Sequence, residues 1–178
     1  MHSSKSVNPI AYLSKLPIFE AQSTEFLFKI ASSMVVRDFK ARAVILKEGA
    51  TIDRQREGLC IIVEGRVEIS VGMPPSKSLI VQLLYEGDIF GECAMTTGQP
   101  RNATAIAAVG TRVLVLPTKA YEHFRATNYE LTLALHEVLF TGLMRHQIRS
   151  NELRLFLTIR SRIEQSPFFV SGGEDSVR

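Results

Sequence analysis

Cysteine is scarce in this chain of 178 residues: only Cys60 and Cys93 occur, far apart and without a C-x-x-C spacing. A disulfide framework or a thiolate zinc site is therefore not expected. The thiols read as reduced and the protein as cytoplasmic, which makes "NAT" at 102–104 an accidental glycosylation sequon. Long apolar runs are also missing. "LCIIV" and "VLVL" are far too short to span a bilayer, and "MHSSKSVNPIAYLSKLPIF" lacks the continuous apolar stretch of a signal peptide. The four histidines, at 2, 123, 136 and 146, are scattered. "HEVLF" at 136–140 begins like a zinc-protease motif, but Phe140 fills the second histidine's place, so no metal pair forms. No Ser-His-Asp arrangement or Walker loop is present, and an enzyme is not expected. Only "SPFFVSGGEDSVR" comes after residue 165, too little for a helix-turn-helix, so direct DNA binding is not expected either. A net charge of +3 is too mild to imply nucleic acid by itself.

What is present suits one well-buried domain with an accessory element: 46% hydrophobic and 22% charged residues. Residues 11–40 read as short amphipathic helices, with Leu13, Phe19, Phe26, Leu27 and Ile30 at helical spacings. The whole of residues 1–40 reads as a helical segment packing on a barrel. From 41 to 117 the runs "VILKEG", "GLCIIVEG", "RVEISVG", "SLIVQLLYEG", "TAIAAVG" and "TRVLVLP" are short and β-rich. They predict that barrel, antiparallel and built as a closed sheet or a double-sheet jelly roll. "GMPPSKS" at 72–78 reads as a hairpin loop, since its prolines cannot join a ladder.

At Thr118 the chain turns helical, with that threonine as N-cap, and residues 118–166 read as helical to the end. From 130 to 165 there is no proline and no glycine except Gly142. Such a helix would span about 50 Å, against about 40 Å for a compact domain, so it must project or find a partner. Residues 167–178 read as a flexible tail in which "PFFV" is apolar enough to dock.

One stretch carries chemistry. "FGECAMTTGQPRNATA", residues 90–105, holds one carboxylate, Glu92, and one guanidinium, Arg101, among small and hydroxylated residues. Gly87 and Gly91 permit a sharp turn, and "ECAMTTG" then forms a helix of one or two turns, stopped near Gly98 and Pro100. Its free amides favour an anion. Small residues at Gly91, Cys93 and Ala94 let a ligand approach, and Arg101 can fork two hydrogen bonds onto a phosphate. A carboxylate beside a phosphate is repulsive unless it accepts from a neighbouring hydroxyl. A ribose cyclic phosphate presents both groups side by side. The plain alternative is that Glu92 only favours its helix dipole and pairs with Arg101.

This stretch closely resembles the phosphate-binding cassette of cyclic-nucleotide-binding domains, and "LPIF", "ILKEG", "IIVEGRVEI" and "LLYEGDIFGE" agree with that family over roughly residues 11 to 165. The resemblance implies a jelly-roll β-barrel between helices, with the cassette at 89–105 and a 3′,5′-cyclic nucleotide as ligand. It implies that Glu92 takes the ribose 2′-hydroxyl while Arg101 and the amides around Cys93, Ala94 and Ala103 hold the phosphate. Val81 matches a position that packs on the base, and His146 and Gln147 fall where a helical lid approaches it. Two residues depart from the pattern. Arg42 stands where a turn glycine is usual, and Asn102 replaces the threonine associated with cGMP or the alanine associated with cAMP. The base is left open, cAMP slightly ahead.

The expected function is a non-catalytic sensor without cofactor or metal, which moves its C-terminal helix to signal to a protein effector or a dimer mate. Leu135, Leu139, Leu143, His146, Ser150, Leu153 and Leu157 form a stripe suited to a homodimer seam. Ile148, Leu155, Phe156, Ile159 and Ile163 form a second apolar face, and Arg145, Arg149, Arg154, Arg160 and Arg162 a solvated or partner-binding one. The rival is a ligand-independent scaffold with a degenerate pocket.

Overall fold

In the strand Gly58–Glu64 successive side chains point to opposite faces, yet Leu59, Cys60, Ile61 and Ile62 are all buried. A strand reads as a continuous apolar run when both its faces are covered, and the computed structural model shows what covers them. It describes residues 7–73 and 77–164. Eight strands, β1 (Val35–Phe39), β2 (Val44–Leu46), β3 (Gly58–Glu64), β4 (Val67–Met73), β5 (Lys77–Leu84), β6 (Ile89–Phe90), β7 (Thr104–Ala107) and β8 (Thr111–Pro117), form two antiparallel sheets, in the orders β1-β8-β3-β6 and β2-β7-β4-β5. Cys60, Ile62, Phe90, Val113 and Val115 from the first sheet meet Leu46, Val67, Leu84 and Ala105 from the second in the inner core. The alternate residues, Leu59, Ile61, Ile89, Leu114 and Leu116, face the helices instead. This is the expected double-sheet jelly roll with flanking helices.

The helices over that outer face are α1 (Pro9–Leu13), a 3₁₀ turn (Pro17–Phe19), α2 (Thr24–Ser32), α4 (Thr118–Thr127) and the start of α5 (Tyr129–Glu164); the short α3 (Glu92–Thr97) belongs to the cassette. Asn8 caps α1 by accepting from the Ala11 amide, with Pro9 in the first turn. Tyr12 donates from Oη to the Ile62 carbonyl at 2.7 Å, tying α1 to β3. Each fully buried Leu or Ile of this core contributes about 1.5–3 kcal/mol.

Two local expectations need correcting. Helix does not extend to residue 40: α2 ends at Ser32, and residues 35–39 pair with β8 as strand β1. The β-branched Val35 and Val36 override the helical reading there. Thr118 is not an N-cap. Pro117 takes that place without a side-chain cap, and Thr118 Oγ1 donates to the Glu57 carbonyl at 2.8 Å. Arg42, which stands where a turn glycine is usual, has φ 68, and it is the one non-glycine residue with positive φ among the described residues. The turn keeps its left-handed conformation despite the side chain, which costs about 1–2 kcal/mol. The hairpin is present, with Met73 paired to Lys77, although residues 74–76 lie outside the described ones.

The chain divides into two units, the first ending at Leu139 and the second beginning at Phe140. In the first, Leu131, Leu135, Val138 and Leu139 are buried in the helical core. Leu135 and Leu139 are therefore spent on the chain's own barrel, so they are not free for the dimer seam on which their spacing placed them. In the second, Phe140, Leu143, Met144 and Ile148 are exposed along α5. The side chains of residues 153–164, which include Leu153, Leu157 and the rest of the second apolar face, and all of "PFFV" lie outside the described residues.

Candidate functional site

The cassette is built by a strand that stops at a glycine. β6 buries Ile89 and Phe90, and Gly91 then turns left-handed at φ 82 and becomes the N-cap of α3. A Cβ at Gly91 would lie 2.6 Å from the Gly58 carbonyl oxygen and 3.1 Å from Leu46 Cδ1, so this turn excludes any other residue twice over. α3 is anchored by buried Ala94 and Met95 and ends at Gly98, φ 69. In its first turn the amides have no intrahelical acceptor, and Gly91 offers no side chain to cap them.

After Pro100 the chain is clamped to the loop behind β2. Gly49 donates its amide to the Arg101 carbonyl at 2.8 Å, the Arg101 amide donates to Ala50 at 3.0 Å, and the Glu48 amide donates to Thr104 Oγ1 at 3.1 Å. These bonds fix the arginine's backbone. The Arg101 side chain is only 3% exposed. Nη1 donates to the Gly91 carbonyl at 2.8 Å, and Nη2 pairs with Glu57 Oε2 at 3.0 Å. Nε is buried and has no hydrogen-bond partner among the described residues. An orphaned guanidinium N–H in the interior costs about 1–3 kcal/mol, and an oxyanion at this spot would remove that cost.

The partner of Arg101 is thus Glu57, not Glu92. No sequence signal pairs two residues 44 positions apart; the only hint is a carboxylate beside Gly58 at the start of a fully buried strand. Glu57 reaches further through its carbonyl, which accepts from both Thr118 N and Thr118 Oγ1 at 2.8 Å. The same residue therefore holds the cassette's arginine and the first turn of α4. At Gly58 a Cβ would lie 2.0 Å from the Leu116 carbonyl oxygen, which keeps β3 and the start of α4 closely apposed.

Glu92 is half-buried and free of Arg101; its Oε1 accepts from Cys93 Sγ at 3.3 Å. Partial burial first, and the Glu92 charge second, push the Cys93 thiol up to about 11, while the Asn102 side chain, donating to the sulfur, opposes them. Burial pushes Cys60 up to about 12. Neither is a ready nucleophile near neutral pH. Raised above its ordinary value, Cys93 stays protonated as pH rises through 8. Iodoacetamide at pH 8 should therefore modify it at least about tenfold more slowly than a free thiol, and Glu92→Gln should speed that reaction. A rate matching glutathione would contradict this environment.

Gly91, Glu92, Cys93, Ala94, Arg101, Asn102 and Ala103 are brought together by this turn and its clamp, Asn102 exposed and Ala103 half-buried. Val81 lies on the edge strand β5 at a bulge opposite Ile69 and Ser70, 51% exposed. His146 and Gln147 lie in the second unit, on α5, where Gln147 donates to Asn151 Oδ1 at 3.2 Å. His136 of "HEVLF" hydrogen-bonds the Tyr121 hydroxyl through Nε2 at 3.0 Å. Among the described residues no group of three or more His, Cys, Asp or Glu side chains could hold a metal ion, and no described helix is long and apolar enough to cross a membrane.

A model of the cyclic nucleotide-binding domain matches residues 36–128, from β1 to the end of α4. The chain belongs to the cyclic nucleotide-binding domain family. This domain is 31% identical over 115 residues to a cAMP-dependent protein kinase regulatory subunit of Mycosarcoma maydis, covering 62% of this chain and 21% of that protein. It is 29% identical over 116 residues to a cyclic nucleotide-gated potassium channel of Rhizobium etli, covering 65% of this chain and 30% of the channel. It thus spans less than a third of either relative. Among solved structures, a cyclic nucleotide-binding domain from Methylobacillus flagellatus superposes with a TM-score of 0.68 at 23% identity, over 83% of this chain and 81% of that one, a likeness of fold.

Proposed function

We propose that this domain is a non-catalytic sensor of a cyclic mononucleotide. The observation that carries the reading is Arg101: a guanidinium fixed by backbone clamps, buried beside an uncapped helix start, and left with an unpartnered Nε. In this reading the cyclic phosphate lies against Arg101 and the amides of Cys93, Ala94 and Ala103. Glu92 accepts from the ribose 2′-hydroxyl, which its freedom from Arg101 supports. Val81 packs on the base, and Asn102 borders the phosphate side. The signal travels through Glu57, whose carboxylate holds Arg101 and whose carbonyl holds Thr118. A ligand that shifts residues 57–58 thereby biases the position of α4 and of α5 after it.

The test is calorimetric titration of the folded protein with cAMP and with cGMP, 5′-AMP serving as control. Saturable binding of a cyclic nucleotide, cAMP ahead, with none of 5′-AMP, is expected. Absence of binding by either cyclic nucleotide would favour the scaffold reading. The output surface is a homodimer contact, or an effector contact, on the exposed Phe140, Leu143, Met144 and Ile148, at i, i+3, i+4 and i+8 of the helix. Light scattering should show a dimer that becomes monomeric in the Phe140→Glu, Ile148→Glu variant; a dimer that persists would place the contact elsewhere.

A further inference from the structure

Glu92 and Asn102 are the odd members of the cassette: a half-buried carboxylate that does not pair with Arg101, and an asparagine where threonine or alanine is usual. Cys93 connects them. Its Sγ donates to Glu92 Oε1 at 3.3 Å, and the Asn102 side chain donates to the same sulfur. A thiol is one weak donor and one weak acceptor, so both capacities are used and they run one way, from amide to sulfur to carboxylate. Partial burial and the Glu92 charge push this thiol up to about 11, so near neutral pH it keeps its proton and remains a donor. The backbone of Cys93 is held as well, its carbonyl accepting from Thr97 Oγ1 at 2.7 Å and Thr96 Oγ1 at 3.1 Å. Among the described residues the thiol is the one hydrogen-bond partner of the Glu92 carboxylate. A flexible carboxylate loses freedom when it grips a ligand, and one that is already held loses less.

We propose that the Cys93 side chain is a positioning residue for Glu92: its S–H holds Oε1 so that Oε2 is presented to the ribose 2′-hydroxyl, and Asn102 sets the direction of that S–H. The thiol acts through Glu92, whereas the Cys93 amide is a separate contact on the phosphate side. An arriving phosphate repels the neighbouring carboxylate, and the thiol keeps that carboxylate from swinging away as the ligand enters. Asparagine at 102 then has a use that threonine or alanine does not share, since its amide reaches the sulfur. This inference rests on the cyclic-phosphate reading of the cassette.

The test compares a cyclic nucleotide with its 2′-deoxy analogue by calorimetry in the full chain: cAMP against 2′-deoxy-cAMP, or the cGMP pair if cGMP binds more tightly. The natural sequence should prefer the ribo form, because only that form offers Glu92 a donor. Cys93→Ala should narrow this preference about threefold to tenfold, the range that one net hydrogen bond spans. Cys93→Ser restores a donor and should recover most of the preference, and Asn102→Ala should narrow it less than Cys93→Ala does. In a Glu92→Ala background, where no carboxylate remains to hold, Cys93→Ala should change the preference by less than about twofold, the level at which independent sites add. Cys93 is exposed, so none of its substitutions opens a cavity in the core. A loss shared equally by the ribo and deoxy forms would mean that the thiol shapes the phosphate side, and would overturn the positioning role while leaving the binding site intact. An unchanged preference in Cys93→Ala, or a serine variant no better than alanine, would overturn it as well. Equal binding of both forms by the natural sequence would overturn the Glu92 contact and this inference with it. No saturable binding of either cyclic nucleotide would remove the functional reading beneath them.

Discussion

Replacing Arg101 with alanine is expected to weaken cyclic nucleotide binding by about 2–5 kcal/mol, the cost of truncating one partner of a buried charge pair, or about thirtyfold to several thousandfold in affinity. Two losses combine. In the proposed site the phosphate loses the buried cation it lies against, and the Glu57 carboxylate, 3.0 Å from Nη2 in the intact protein, is left with its charge uncompensated. Adding Glu57→Gln to Arg101→Ala should therefore recover part of the affinity. Arg101→Lys keeps the charge but not the planar fork, and one ammonium cannot serve Gly91, Glu57 and a phosphate together. It should fall between alanine and arginine. Removing one partner of a buried pair also destabilises the fold, so Arg101→Ala should lower the denaturation midpoint; calorimetry at a temperature where each variant is folded separates the two effects. Affinity of Arg101→Ala within threefold of the natural sequence would rule out this geometry.

Gly91→Ala is the second large effect, and it acts through the backbone. Alanine at φ 82 carries about 1–2 kcal/mol of left-handed strain. Its Cβ would also lie 2.6 Å from the Gly58 carbonyl oxygen, an overpacking that costs about 1–3 kcal/mol because β3 cannot yield without disturbing its ladder to β8. The sum is about 2–5 kcal/mol of stability from these two terms. Gly98 is the matched control, since at φ 69 a Cβ there meets nothing within 4 Å. Gly98→Ala should show the strain alone, about 1–2 kcal/mol. Chemical denaturation of both variants checks the difference; equal losses would mean that the close approach of β6 to β3 is not a constraint.

These two residues also mark where sequence reading succeeds. The turn, the short helix and the returning arginine were legible because they lie within sixteen consecutive residues: a glycine for the turn, small residues on the helix start, and an arginine after a proline. The double sheet was legible from short β-rich runs that end in turn residues. The residues that complete the site were not. Glu57 meets Arg101 only because the loop before β3 brings it to the cassette, and nothing in the local sequence announces that meeting. Periodicity reports that a face is apolar but not what covers it. Leu135 and Leu139 fit a dimer seam by spacing, yet they pack on the barrel of their own chain. Thr118 read as a cap by its type, whereas Pro117 before it and the Glu57 carbonyl beside it assign the hydroxyl another role.

The most direct measurement is a crystal structure of the protein grown with the cyclic nucleotide that binds it more tightly. Phosphate density is expected against Arg101 and the first turn of α3, with the 2′-hydroxyl on Glu92 and the base beside Val81. Nucleotide density lodged elsewhere, with none against Arg101, would contradict the assignment of this site.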